Sequence, residues 1–423
     1  MGCIKFVHCA DVHLDAPFSS LGTKDGSPLA GTGKSAVRRM DLRNTFRKIM
    51  DIAREEGAGY VFISGDLYEH GFVRKSTINY VNSIFKSLED IKVFIVPGNH
   101  DPWGKGSYYM DFEWADNVYI LAGNRTHAYF EEEGICIYGP GAFPGIYGDR
   151  DFQGTFKDAV NTIKSGSEGF DIKGPVNRGL VNPGFINILL MHGTLDFKIG
   201  QDNYNPLSSR RLESLGMDYI ALGHFHKRMD GLGSQGIIYN PGSPEPLGFD
   251  EPGEHGIYVG SVMKKGNGEK VLDVKFKVTN AKRYEVLRID ISGCVTDEEI
   301  MARINDAIAR IKSAAGGAAV DVVPGEALLL SIVLCGYIEQ GFKVDMEYLL
   351  SCLEGRVFYA KVENQAVPGY DFDEIKKEAG IKGLFARKML GLIEEAKGDY
   401  ERDLLVKALY YGIQAIEEGK VDI

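Results

Sequence analysis

Cysteine pairs, a basic excess and long apolar runs are all missing from this chain, and each gap removes a class of protein. The six cysteines, Cys3, Cys9, Cys136, Cys294, Cys335 and Cys352, form no Cys-x-x-Cys pair. Most sit in apolar strand-like or helix-like runs. That excludes a cysteine-rich zinc site and fits reduced thiols in a cytoplasmic protein better than a disulfide framework. The longest apolar stretch, around Ala327–Cys335, is under half of the roughly 20 residues a membrane-spanning helix needs, so no membrane partner is expected. The first residues, MGCIKFVHCADVH, are interrupted by His and Asp too early for a secretory leader. The formal net charge is −11, so a general electrostatic grip on nucleic acid is not evident. Bound divalent ions would reverse the sign locally.

What is present is ordinary for a folded protein: 423 residues, 44% apolar and 25% charged, more than one core usually holds. From Ile4 to Val259 one grammar repeats, in which a short β-branched or aromatic run leads into a loop bearing Asp, His or Asn and then a helix-like stretch. The runs are Ile4–Cys9, Tyr60–Ser64, Val93–Val96, Ile135–Tyr138, Ile186–Met191, Tyr219–Leu222 and Ile257–Val259. Between the first two, Leu42, Phe46, Ile49 and Ala53 recur at helical spacing and predict a crossover helix. This alternation predicts an α/β unit with a sheet buried between helices and its polar residues gathered along one edge.

Lys264 to Glu269 marks a hairpin and a change of style. Strict alternation at Val286, Leu287, Ile289 and Ile291 is followed by Thr296-Asp297-Glu298-Glu299, a capped helix start that Val295 and Ile300 would staple. A strand at Leu328–Leu334, a helix at Met346–Leu353 and a strand at Val357–Val362 complete a small α+β domain. Past Pro368-Gly369, Leu384–Glu395 and Tyr400–Glu417 read as helices, the latter with an apolar stripe at Leu404, Leu405, Ala408, Leu409, Ile413 and Ile416. The expected divisions are 1–280, 281–365 and 366–423.

The chemistry-bearing residues are Asp11-Val12-His13, Gly65-Asp66, Gly98-Asn99-His100-Asp101, His192-Gly193 and Gly223-His224-Phe225-His226, each directly after an apolar run. In an extended segment Asp-x-His and His-x-His put alternate side chains on one side, within reach of one ion. Small residues beside them allow tight turns. Any one of these motifs alone is usually a turn or a core histidine; their conjunction at five strand ends in order points to a metal site. Two ions need about eight ligand contacts, and Asp66 is the natural bridging carboxylate. Imidazole, carboxylate and amide oxygen together suit manganese, with iron or zinc as alternatives, rather than calcium. His100 is read as the acid that protonates the leaving oxygen, with Asp101 holding its tautomer.

At this point the chain resembles the calcineurin-like metallophosphoesterase superfamily, whose series D-x-H, G-D, G-N-H-[DE], H and G-H-x-H is matched in full. Gly-His-Phe-His-Lys, the opening His8-Cys-Ala-Asp-Val-His-Leu-Asp-Ala-Pro and Asn240-Pro-Gly-Ser look like the SbcD-type DNA repair exonucleases, within them a YhaO-like branch. The resemblance implies a β-sandwich flanked by helices, with a small α+β capping domain and C-terminal helices. It also implies one ion on Asp11, His13, Asp66 and His226, and a second on Asp66, Asn99, His192 and His224, with DNA as substrate. A coiled-coil ATPase of the SbcC type and a homodimer are the implied partners. The alternative is a small-substrate phosphodiesterase or phosphatase on the same core. One departure matters: the archetypal nucleases carry histidine three residues beyond the bridging Asp, where this chain has Glu69 followed by His70. His70 and Arg74 are the candidate substrate contacts.

Other signals carry less. Gly31-Thr-Gly33-Lys34-Ser35 lacks the first glycine of a phosphate loop, since position 28 is Pro28. The basic run Lys34, Arg38, Arg39, Arg43, Arg47 and Lys48 reads as a solvated helix face, or as a phosphate-contacting rim. Trp103, Tyr108, Tyr109 and Trp114 read as packing, with base stacking the sharper alternative.

Overall fold

The computed structural model describes residues 2–21, 33–143, 146, 181–196, 204–265, 269–314, 327–339 and 341–419. The chain divides into two compact units, Met1–Tyr284 and Glu285–Ile423.

The first unit is built from β1 (Gly2–Cys9), β2 (Tyr60–Ser64), β3 (Lys92–Val96), β4 (Val118–Ile120), β5 (His127–Phe130) and β6 (Ile135–Tyr138). It continues with β7 (Ile186–His192), β8 (Tyr219–Gly223), β9 (Met229–Leu232), β10 (Ile238–Asn240), β11 (Gly256–Lys264) and β12 (Lys270–Val278). Two six-stranded sheets result, ordered β12-β11-β1-β2-β3-β4 and β5-β6-β7-β8-β10-β9. The two sheets make the β-sandwich that the resemblance implies, rather than the one sheet that alternation by itself predicts. Strands β5 to β10 pair among themselves and form a second layer, while β11 and β12 return to the first sheet beside β1.

The layers share one core. Phe6, Phe62 and Phe94 from the first sheet pack with Ile137, Ile188, Leu190 and Tyr219 from the second, each worth about 1.5–3 kcal/mol on burial. The crossover helix is Lys34–Glu55, with Leu42, Phe46, Ile49 and Ala53 buried as the spacing requires. Its basic run is not a solvated face throughout. Arg38 is fully buried between Asp41 (2.8 Å) and Glu245 (2.6 Å), and Arg43 bonds Asp15 at 2.8 Å. A carboxylate some two hundred positions away, invisible to helical periodicity, makes this burial affordable.

β1 also places His8 inside the sandwich, fully buried, its Nδ1 hydrogen-bonded with the Tyr219 hydroxyl at 2.8 Å. Burial pushes this imidazole from 6.5 down to about 3. Between those values the unfolded chain takes up a proton that the folded chain refuses, so stability falls as pH drops through this window and is fully present above it. His8→Gln retains an acceptor for Tyr219 without a basic nitrogen. Urea titrations at pH 7 and pH 4 should show a smaller acid loss for the variant than for wild type; equal losses would refute the assignment.

In the second unit the strands Arg283–Asp290, Leu328–Cys335 and Tyr359–Asn364 form a sheet. The helices Asp297–Ala314 and Met346–Leu353 pack on it through Ile300, Ile304, Leu330, Ile332 and Leu349. The cap at Thr296 forms in both directions: Glu299 N–H donates to Thr296 Oγ1 at 3.3 Å and Val295 N–H to Glu299 Oε2 at 2.8 Å. Val295 is 52% exposed, so the expected staple is weak. The helices Ile381–Glu395 and Asp399–Glu418 share a separate small core of Ile375, Ala386, Leu409 and Ile413. Leu404, at the edge of the stripe, stays 57% exposed. Among the described residues no helix is long and apolar enough to cross a membrane, and all six cysteines are free. Residues 22–32, and with them Gly31 and Thr32 of the Gly31–Ser35 motif, lie outside the described residues, as does the 266–268 stretch between β11 and β12.

Candidate metal centre

All five motifs leave the C-terminal ends of strands: β1, β2 and β3 in one sheet, β7 and β8 in the other. Parallel pairing of β1 with β2, β2 with β3, and β7 with β8 brings those ends to one edge. The loops then bond to one another, Asp11 N–H to Gly65 O at 3.1 Å and His13 N–H to Asp66 O at 2.9 Å. Asp11, His13, Asp66 and His224 all have positive φ, from 49° to 106°, at a cost of about 1–3 kcal/mol each. Such strain persists only where surrounding structure fixes it, and here it coincides with the ligand positions. Glycine is required beside them: a Cβ on Gly65 would lie 2.2 Å from His192 Nδ1, and one on Gly223 would lie 1.9 Å from Ser64 O.

The structure brings all seven expected ligands together. His13 Nε2 lies 3.0 Å from His226 Nε2 and 3.8 Å from Asp66 Oδ2. His226 Nε2 is 4.0 Å from Asp11 Oδ1. On the other side of Asp66, His192 Nε2 is 3.2 Å from Asp66 Oδ2 and 3.0 Å from Asn99 Oδ1, which is 3.2 Å from His224 Nδ1. One Asp66 oxygen therefore stands between two donor sets.

The ring partners show why these donors suit a cation. His13 Nδ1 donates to Glu69 Oε1 (2.8 Å), His226 Nδ1 to Glu251 Oε1 (2.6 Å) and His192 Nδ1 to Ser64 O (2.8 Å). Since each acceptor is oxygen without a proton, the Nδ1 atoms carry the hydrogens and the Nε2 lone pairs face inward. Two such lone pairs at 3.0 Å repel unless a positive charge lies between them.

Charge agrees. Burial alone would lower His192 and His226, yet the Asp66 charge in one case and the Glu251 hydrogen bond in the other raise both to about 9. Asp66 stays well below the usual carboxylate range, because His192 and His13 outweigh its burial. Burial and its imidazole neighbours push His224 down to about 4. The negative field that draws protons onto the inner histidines is the field that attracts divalent ions.

His100 stands at the rim, its side chain 43% exposed. Its Nδ1 bonds Glu69 Oε2 at 3.0 Å, a hydrogen bond that raises its pKa. Asp101 does not hold it, contrary to expectation. The Asp101 carboxylate turns inward and accepts from Gly98 N (2.6 Å), Asp66 N (3.1 Å), Leu67 N (2.6 Å) and the Tyr109 hydroxyl (2.5 Å). Successive side chains in an extended turn point apart, so sequence adjacency misled. His70 and Arg74 are exposed; the His70 backbone N–H donates to His100 O at 2.9 Å and the Arg74 N–H to Asp15 Oδ2 at 3.2 Å. Trp114 packs on Phe85, and Tyr109 is buried, which leaves packing as their role.

Glu251 was missed altogether, since no local pattern marks it. Asn240-Pro-Gly-Ser, by contrast, was legible and now has a task. Asn240 Nδ2 donates to Phe225 O (2.6 Å) and Lys227 O (2.9 Å), and Ser243 Oγ donates to Glu251 at 2.6 Å. The segment clamps the His224–His226 loop and its carboxylate.

Seven side-chain donors, in two sets that share one carboxylate, converge at the edge of two stacked sheets and form a candidate metal centre. The chain belongs to the calcineurin-like phosphoesterase family, whose model matches residues 4–228. It is 24% identical over 312 residues to the uncharacterized metallophosphoesterase YhaO of Bacillus subtilis strain 168, covering 73% of this chain and 68% of that one. It is 23% identical over 320 residues to the DNA double-strand break repair protein Mre11 of Methanopyrus kandleri, covering 71% and 62%. With Mre11 of Saccharolobus solfataricus the figures are 21% over 251 residues, 59% and 56%. The match thus spans less than two thirds of either Mre11. Among solved structures, a dimetal phosphatase from Danio rerio aligns with 64% of this chain and 99% of its own, at 12% identity and a TM-score of 0.38.

Proposed function

We propose that this phosphoesterase is a DNA nuclease that hydrolyses phosphodiester bonds in DNA repair, with His100 as the general acid. The observation that carries the hydrolytic chemistry is the convergence of seven donor residues, Asp66 among them, with His100 half-exposed beside them. When bound, two divalent ions supply Lewis acidity that activates water near neutral pH and offsets charge on the phosphoryl oxygens. The mixed donor set supports manganese, with iron or zinc as alternatives. Asp11, His13, Asp66 and His226 would hold one ion, and Asp66, Asn99, His192 and His224 the other. Glu69, Glu251 and Ser64 fix the ring orientations, and His100 donates from Nε2 to the leaving oxygen.

DNA as substrate is supported by the likeness to two Mre11 proteins named for double-strand break repair. A small phosphoester is the second reading, favoured by the net charge of −11 and by Glu69, an anion where the archetypal nucleases carry histidine. The nuclease reading also pairs this cytoplasmic chain with a coiled-coil ATPase of the SbcC type or a second copy of itself. The exposed Tyr400 and Leu404 on the helix Asp399–Glu418 support such a contact.

Purified protein with manganese, given linear duplex, single-stranded DNA and bis-p-nitrophenyl phosphate, is expected to cleave DNA as well as the small ester. Cleavage of the ester alone, even with the ATPase added, refutes the nuclease reading. His100→Ala is expected to lower kcat by about 10²-fold on substrates with poor leaving groups while metal content stays unchanged. Loss of metal would make His100 a ligand instead.

A further inference from the structure

His255 lies outside the donor set, on the chain just before β11, and is 6% exposed. Its ring meets oxygen on both sides. Nδ1 is 2.8 Å from the Ser243 carbonyl oxygen and 2.9 Å from Ser243 Oγ, while Nε2 is 3.0 Å from the Glu251 carbonyl oxygen. A carbonyl oxygen only accepts, so Nε2 carries a hydrogen. The hydrogen of Ser243 Oγ is already committed, because Oγ lies 2.6 Å from Glu251 Oε2. That carboxylate is an acceptor throughout: Oε1 receives His226 Nδ1–H at 2.6 Å, and Oε2 also receives Leu247 N–H at 3.2 Å. Ser243 Oγ is left to offer His255 a lone pair, as the Ser243 carbonyl does, and Nδ1 must carry a hydrogen too. An imidazole with two N–H groups is a cation.

The ring is fixed from its own backbone. His255 N–H donates to Asn280 Oδ1 at 3.1 Å, and its carbonyl accepts from Thr279 N at 2.9 Å. Asn280 Nδ2 is occupied with Lys282 O at 2.7 Å, so the amide cannot turn over. His255 in turn ties together the carbonyls of Ser243 and Glu251, eight positions apart. It closes the loop that ends in the carboxylate bonded to His226, and a loop closed in advance has already lost the freedom that ion binding would otherwise remove. Charge points the same way. Glu251 is 8% exposed, and a buried carboxylate is costly without a cation near it. A neutral ligand imidazole at His226 cannot supply that charge; His255 can, one hydroxyl away.

We infer that His255 is a buried imidazolium and a positioning residue for the metal centre, closing the 243–251 loop so that Ser243 and Glu251 hold the ligand His226 in place. Its bearing on catalysis rests on the hydrolase reading above. Glutamine at 255 keeps one amide donor and loses the charge. Lysine keeps the charge and several N–H donors, so it should restore what glutamine loses.

The test compares wild type, His255→Gln and His255→Lys as full chains loaded with zinc. In nitrogen-15 spectra of histidine-labelled wild type at neutral pH, His255, assigned by its absence from either variant, should carry a hydrogen on both ring nitrogens. In chelator competition, His255→Gln should hold one of its two zinc ions about 10-fold or more weakly, while His255→Lys stays close to wild type. With zinc saturating, turnover of bis-p-nitrophenyl phosphate should be alike in all three.

A bare ring nitrogen on His255 at neutral pH would overturn the inference, and so would unchanged zinc affinity in His255→Gln. A lysine variant as weak as the glutamine one would remove the role of charge and overturn it equally. If His255→Gln does not fold, the wild-type spectrum and the zinc affinity of His255→Lys still decide. Failure of zinc-loaded wild type to hydrolyse the ester would instead sink the hydrolase reading, leaving the spectra and the zinc competition to judge His255.

Discussion

Asp66→Ala is expected to empty both metal positions and to lower phosphoester hydrolysis by more than about 10³-fold, beyond the loss usual for a single charge-stabilising group. Asp66 is 1% exposed. Its Oδ2 faces His192 Nε2 at 3.2 Å and His13 Nε2 at 3.8 Å, so one atom belongs to both donor sets. Removing it leaves each set with two imidazoles and one oxygen donor, and leaves the Nε2 atoms of His13 and His226 facing each other at 3.0 Å without the Asp66 charge beside them. Oδ1 also accepts the His100 N–H at 2.8 Å, so the acid loop loses its tether in the same substitution. Asp66→Asn, nearly isosteric, separates these effects because its amide oxygen can keep that tether while the charge is gone. Metal analysis of the purified variants and circular dichroism decide the matter. One ion at full occupancy in a folded Asp66→Ala protein would contradict the shared carboxylate.

The ligands were readable because strand, turn and donor are neighbours in sequence, and a parallel sheet aligns strand ends whatever the connections between them. What each ligand leans on was not readable. Glu69 meets His13 across 56 positions and Glu251 meets His226 across 25. Neither lies in an apolar run whose period would place it. Arg38 shows the same limit from the opposite side, because helical spacing gave it a solvent face while Glu245 and a bed of aromatic rings draw it inside. The second sheet, which the resemblance implied, is not legible in the alternation itself for a related reason. Alternation tells that strands are buried, but the choice of neighbour at β5 depends on register and turn geometry that the pattern leaves open. Where sequence adjacency was used in place of contact, as for His100 and Asp101, it chose the wrong partner.

Asp101→Ala is therefore expected to act on stability rather than on proton transfer. The carboxylate is fully buried and receives three backbone N–H groups, from Gly98, Asp66 and Leu67, together with the Tyr109 hydroxyl. Burial, reinforced by the Asp66 charge, pushes its pKa up to about 7, and the converging donors are what allow an acid to sit there at all. Alanine orphans four donors beneath the ligand loops, each costing about 1–3 kcal/mol, of which entering water recovers part. The expected loss is about 4 kcal/mol or more, among the larger single-residue effects. Because the chain forms two compact units, the loss should appear in the unfolding of the first unit while the second keeps its midpoint. Asp101→Asn, which keeps one acceptor oxygen but turns an amide donor toward other donors, should also destabilise, though by less. Calorimetry of the three proteins reads this directly. If unfolding is unchanged while kcat falls on esters that need an acid, Asp101 acts on His100 after all, and the inward carboxylate seen here is not the one that matters in turnover.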